Sequence, residues 1–311
     1  MSMPTLTLLG PQRLRPTLAA TFDRLGVAGQ VAAVTAGWQE REAEVDEMRA
    51  HLGRPVVDLM LHQRCERAFA AEPRLFQAHR ERQDRLRKMQ RLYRYRLDFT
   101  IKPARALLRR RGEPELLEPE REAAIAALRR LDEEHLARIA RVHREFEERF
   151  AAESHPALEK ERAEVAEILG KSSALAIAGG HVAVLVNRLR LAGLAEHTAE
   201  LPVIAWSAGA MALAQRIVLF HDNPPQGAGN AEVLDVGLGW FGGLLPLPHA
   251  RRRLRLNDPY RVELFARRFA PAQCVALDEG ASISWDGEHW RPDVPAERLS
   301  VDGHLERLEA A

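Results

Sequence analysis

Leu201–Asp222, LPVIAWSAGAMALAQRIVLFHD, decides the reading of this chain. Val203, Ile204 and Ala205, entered through Pro202, form a short apolar run of the kind that makes a buried strand. The run stops at Trp206-Ser207-Ala208-Gly209-Ala210, and a helix of small residues follows. A serine between a strand end and a helix start sits on a sharp turn that pushes its hydroxyl outward. The first amides of the helix then point at whatever the hydroxyl meets. Small residues suit such a turn because the backbone passes close to itself. Two readings fit the pentapeptide alone: a nucleophile elbow, or an ordinary strand–helix junction with a capping serine.

Outward from this stretch the same rhythm recurs. Thr5–Leu9, Gln30–Thr35 and Val56–Leu61 are predicted strands, with helices over Leu14–Leu25 and Glu40–Leu52 between them. This is the βαβαβ alternation of a parallel sheet. It resumes from about Ala163, with a helix at Ala163–Leu169, a strand at Ala174–Ile177 and a helix at Val182–Ala192. Later come a helix at Pro259–Phe269 and strands at Gln273–Leu277 and Ala281–Trp285. The polar segment from Pro292 onward is expected to be peripheral.

Residues 63–162 have a different texture. They are dense in Arg and Glu and nearly free of Gly. Leu86, Met89, Tyr93 and Leu97 recur at helical spacing, as do Leu128, Leu131, Leu136, Ile139, Val142, Phe146 and Phe150. RRRGEPELLEPE, residues 109–120, reads as a helix stop, a loop and a new start, set by Gly112, Pro114 and Pro119. Pro103 is expected to kink or break the first arm. The domains expected are therefore a discontinuous α/β domain, 1–62 and 163–311, and an inserted helical hairpin, 63–162.

The 311 residues are 46% hydrophobic and 29% charged, with a net charge of +1. That is ample for a core and gives no global attraction to nucleic acid or anionic membrane. Two distant cysteines, Cys65 and Cys274, exclude a disulfide scaffold and fit a reducing compartment. No apolar stretch reaches membrane-spanning length, and the N-terminus lacks a basic-then-apolar signal pattern. A cytoplasmic location is expected.

A serine nucleophile needs a base, an orienting acid and an oxyanion site. Gly179 and Gly180 follow a predicted buried strand and open a helix, where main-chain amides can approach an oxyanion. His249 ends GWFGGLLPLPH, a run that Pro246 and Pro248 keep out of regular helix and that reads as a stiff loop able to fix a base. Glu279 lies in ALDEGAS, on a turn between two strand-like runs.

Taken in order, AGGHV (178–182), AWSAGAM (205–211), HDN (221–223), LLPLPH (244–249) and ALDEGAS (276–282) resemble the peptidase E and cyanophycinase family of serine hydrolases. That family has the class I glutamine amidotransferase-like fold. The resemblance covers 163–290 well and 1–62 weakly. It implies Ser207 as nucleophile, His249 as base, Glu279 as its acid, and the Gly180 and Ala208 amides as oxyanion donors. Asp222 is the alternative acid. Ala205 stands where the family keeps glycine before the elbow, His181 replaces a polar Asn, and the helical insertion lies outside the common pattern.

The expected fold is α/β, a flavodoxin-like three-layer sandwich with a mostly parallel sheet plus the hairpin. The expected function is cleavage of a peptide or related amide bond through an acyl-enzyme, with no metal or cofactor. The alternative is a catalytically silent module that binds a partner through the hairpin. His181, Trp38, Gln39 and Arg251 are candidate substrate-binding residues, because doubly wound sheets bind ligands at the carboxyl ends of their strands. The hairpin or a sheet edge is where a homodimer would form, and neither nucleic acid nor membrane is an expected partner. Gly237–Gly242 matches G-x-G-x-x-G, but the prolines that follow deny it the helix a dinucleotide site needs.

Overall fold

The computed structural model describes residues 5–152, 154–198, 200–222 and 229–308. The first half runs β1 (Leu6–Leu9), α1 (Leu18–Arg24), β2 (Val31–Val34), α2 (Asp46–Leu52) and β3 (Val56–Asp58). Four helices follow: α3 (Leu61–Ala71), α4 (Pro73–Arg109), α5 (Pro114–Ala152) and α6 (Pro156–Gly170). Next come β4 (Ala174–Ile177), α7 (Val182–Ala192), β5 (Val203–Trp206), α8 (Ala208–Leu213), β6 (Arg216–Leu219) and β7 (Glu232–Val236). The chain ends with β8 (Leu244–Pro248), α9 (Ala250–Arg253), α10 (Pro259–Phe269), β9 (Gln273–Leu277), β10 (Ser282–Trp285), β11 (Trp290–Val294), β12 (Glu297–Leu299) and β13 (Leu305–Arg307).

The central sheet has the order β11-β10-β1-β5-β4-β2-β3. Strands β1 to β5 are parallel, and β10 and β11 add antiparallel strands beside β1. The run β3-β2-β4-β5 has the 2-1-3-4 order of a flavodoxin-like doubly wound sheet, and β1 takes the outer place. Side chains alternate between two buried faces, as period-2 strands require. Ala32 and Val34 join a core with α6 and α7, while Val31 and Ala33 join one with α1 and α2. Both faces are covered, which is why these strands read as unbroken apolar runs. The result is a three-layer α/β sandwich with helices on each face.

The long helices α4 and α5 lie antiparallel, and their inner face is apolar at helical spacing. Tyr93, Leu97, Ile101, Ala104 and Leu108 meet Ile125, Leu128 and Leu131, and all belong to the same buried cluster as the sheet. Pro103 does not break α4. Its exposed position leaves the packed side of the helix intact. Pro119 lies inside α5, so the second arm begins at Pro114 rather than after Pro119.

Two expectations are corrected toward the C-terminus. The PLPH stretch is not a loop: β8 is the edge strand of a second sheet, β13-β12-β9-β8, parallel to β9. His249 N–H donates to the Leu277 carbonyl at 3.1 Å, so alternate residues of β8 face β9. Pro246 and Pro248 fall on the alternate, free-edge positions, where a missing N–H costs nothing. The segment after Pro292 is not merely peripheral. β12 pairs with β9, and Ala296, Leu299 and Leu308 are buried in the main core.

Candidate active site

Ser207 follows β5 with φ 52° and ψ −122°, a conformation L-residues rarely adopt. The turn aims the hydroxyl out of the sheet, and α8 begins at the next residue. The turn fits because Gly179 passes beside it. A Cβ on Gly179 would stand 2.7 Å from Ser207 Cβ, too close to be accommodated without movement. Gly180, at φ 111°, stacks on Gly37 from the loop after β2, whose carbonyl accepts the His181 N–H at 2.8 Å. The loops after β2 and β4 diverge here. This is the switch point at which doubly wound sheets open a crevice.

His249 reaches the same crevice from the second sheet. It leaves β8 in a left-handed conformation, φ 58° and ψ 36°. Its Nε2 lies 3.4 Å from Ser207 Oγ. That is longer than a typical hydrogen bond, and pairs of this kind often tighten only when substrate binds. The Gly180 and Ala208 N–H groups make no hydrogen bond among the described residues. Ala208 is the first residue of its helix, where the amide lacks an intrahelical acceptor.

These groups line a cleft of about 780 Å³. Trp38 and His181 are in its wall. His181 also caps α7, its Nδ1 accepting from the Val184 N–H at 3.3 Å. Gln39 is not in the wall. Its backbone turns sharply at φ 59°, ψ −121°, and carries it off the cleft. Arg251 is also turned away, since it pairs with Glu297 and its amide donates to Asp278 Oδ1 at 3.1 Å. Arg253, two residues on and about half a helical turn round, does line the cleft, as do Arg13 and Arg41. Arg253 is half-buried and makes no ion pair among the described residues.

Glu279 sits on the turn after β9. It is exposed and close enough to act electrostatically on His249, but no hydrogen bond joins the two. Asp222 is buried and engaged elsewhere: Arg261 grips it at 2.5 Å and 3.1 Å, and the Arg255 N–H donates to it at 2.8 Å. A carboxylate held this way is not free to orient an imidazole. Asn223 of the HDN string lies outside the described residues.

The His249 pKa is pushed below the ordinary 6.5, first by burial and then by Arg253 and Arg252, with Glu279 opposing. Only the neutral ring can accept a proton from Ser207, and a lowered pKa keeps the ring neutral to lower pH. The rising limb of the rate of Ser207 modification against pH is expected to have its midpoint below 6.5. Arg253→Ala removes one of the two opposing cations and should move that midpoint upward. A limb that stays in place in that variant would show that the two groups do not interact.

Sequence reasoning missed Leu219 and Leu234, which also line the cleft. They lie on β6 and β7, two short strands on either side of the Pro- and Gly-rich stretch 221–230, and neither is long enough to stand out by its own apolar pattern. Among the described residues no group of three His, Cys, Asp or Glu side chains could hold a metal ion, and no helix is long and apolar enough to cross a membrane.

No family model matches the sequence, and no curated protein matches it. Among solved structures, the chain is similar to a peptidase from an acI-B1 Actinobacterium, at 12% identity and a TM-score of 0.49, over 99% of this chain and 95% of that one. It is also similar to a candidate peptidase E from Listeria monocytogenes EGD-e, at 13% identity and a TM-score of 0.45, over 96% of this chain and 100% of that one.

Proposed function

We propose that this protein is a serine hydrolase that cleaves a peptide or related amide bond. One observation carries the reading: a serine hydroxyl held at positive φ faces an imidazole nitrogen 3.4 Å away in the wall of a cleft. Ser207 Oγ attacks the amide carbonyl while His249 Nε2 takes its proton. The oxyanion that forms is met by the Gly180 and Ala208 amides, a contribution of about 3 kcal/mol for each well-placed donor. His249 then gives the proton to the leaving amine. Water, deprotonated in turn by His249, releases the acyl group from Ser207. Glu279 is the acid of this triad and acts through its charge, favouring the imidazolium that forms at the transition state. Arg253 is placed to pair with a carboxylate on the substrate.

The test is covalent labelling with a fluorophosphonate probe. The wild type should label at one site, and Ser207→Ala should abolish labelling while leaving the circular dichroism spectrum unchanged. Folded wild-type protein that takes no probe would refute the hydrolase. That result would favour the second reading, a silent module that binds a partner through its hairpin. One feature speaks for that reading: the outer face of α4 leaves Leu92, Tyr95 and Phe99 at 70%, 69% and 58% exposure.

A further inference from the structure

β6 and β7 form a two-stranded antiparallel ribbon that pairs with no third strand among the described residues. Such a ribbon has little stability of its own. Here the hairpin supplies most of the support, with one arginine each from α10 and α7. The Ala231 carbonyl accepts from Arg268 at 2.8 Å. Glu232 is held by Arg94 at 2.6 Å and Gln90 at 3.1 Å. The Val233 N–H donates to the Tyr93 hydroxyl at 3.2 Å, and its carbonyl accepts from Gln90 at 3.2 Å. Asp235 meets His143 Nε2 at 2.7 Å, with both side chains buried. The Val236 carbonyl accepts from Arg190 of α7 at 2.6 Å.

Leu234 is the exception. It is the extra residue of a bulge, because Val233 pairs with Val218 and Asp235 with Ile217. It is half-buried and lines the catalytic cleft with Leu219 of β6. The ribbon is thus tied to the insertion through Glu232, Val233 and Asp235, while Leu219 and Leu234 line the cleft that holds Ser207.

We infer that Leu219 and Leu234 form a specificity subsite for an apolar side chain of the substrate, and that the inserted hairpin positions it through β7. His143, Asp235, Tyr93 and Gln90 are then positioning residues. This rests on the hydrolase reading, because the subsite is defined relative to Ser207. It gives the insertion a role in substrate choice without any contact to substrate.

The experiment compares rates of Ser207 modification by two alkyl fluorophosphonates, one with an ethyl chain and one with an octyl chain. Leu234→Ala should change the octyl-to-ethyl rate ratio by about tenfold, the range in which apolar pockets discriminate. His143→Ala, which removes the partner of Asp235 on β7, should shift the ratio about threefold or more, and His143→Gln should restore most of it. A folded His143→Ala protein with the wild-type ratio would overturn the positioning role. An unchanged ratio in Leu234→Ala would overturn the subsite. Amide hydrogen exchange over 229–238 separates this inference from the hydrolase itself. Faster exchange there in His143→Ala supports the hold of the hairpin on β7 even if the wild type takes no probe, whereas absent labelling removes the subsite along with the reaction. Unchanged exchange overturns the positioning role directly.

Discussion

His249→Ala is expected to lower the rate of Ser207 modification by about 10³-fold or more, because among the described residues the ring is the hydrogen-bond partner of the hydroxyl. Glu279→Gln is expected to cost far less. The carboxylate is exposed and makes no hydrogen bond to the ring. Exposed charges a few ångströms apart interact by about 1 kcal/mol in water, and about 1.4 kcal/mol is needed for a tenfold change in rate. The loss in Glu279→Gln should therefore be tenfold or less, roughly two orders of magnitude short of the histidine variant. Rates of probe labelling in the two variants check this. A loss in Glu279→Gln as large as that in His249→Ala would mean that the carboxylate swings in to bond the ring during reaction, so that the serine–histidine pair does not act largely alone.

The second large effect concerns stability. Arg268 and Asp132 are an ion pair whose side chains are 1% and 2% exposed, joined at 2.7 Å and 2.8 Å. The Tyr93 hydroxyl completes the group: it donates to Asp132 at 2.8 Å and accepts from Arg268 at 2.9 Å. Its ring stacks on His135 with centroids 4.1 Å apart. Asp132→Ala would leave a guanidinium in the interior with no counter-charge, and losses of this kind cost about 3–5 kcal/mol. The double variant Asp132→Leu with Arg268→Met removes both charges and should recover much of that loss. Urea unfolding of the wild type, the single and the double variant forms the test. A single variant within about 1 kcal/mol of the wild type would show that water or a rearranged carbonyl already compensates Arg268.

Much of the architecture was legible because burial on two faces leaves a simple trace. β4, α7, α10 and β9 begin and end where apolar spacing predicts. The long arms were legible from Tyr93 and Leu97, and from Leu128 and Leu131, each recurring every three or four residues. The exceptions have physical causes. β8 hides behind two prolines that only a free sheet edge tolerates. β6 and β7 are four and five residues long and draw their order from the insertion rather than from their own pattern. β11 to β13 are half-exposed, so their polar residues read as a tail. In the site, Ser207 and His249 stood out through the order of the motifs that hold them, and the structure brings the two side chains to 3.4 Å. Arg253 could not be told from Arg251, because which of three adjacent arginines faces inward depends on the turn of α9. Asp222 was a reasonable acid in sequence, but Arg261, 39 residues away, claims it in space.

The α4–α5 pair shares one apolar interior with the sheet, and this limits how the chain can be shortened. An appendage with its own interior could be cut away at its neck and replaced by a short linker. Deleting residues 73–152 here would instead open the molecule along Phe220, Val233 and Phe265, and leave Arg268 facing solvent on one side only. A shortened version of this chain would need a rebuilt interior to stay folded.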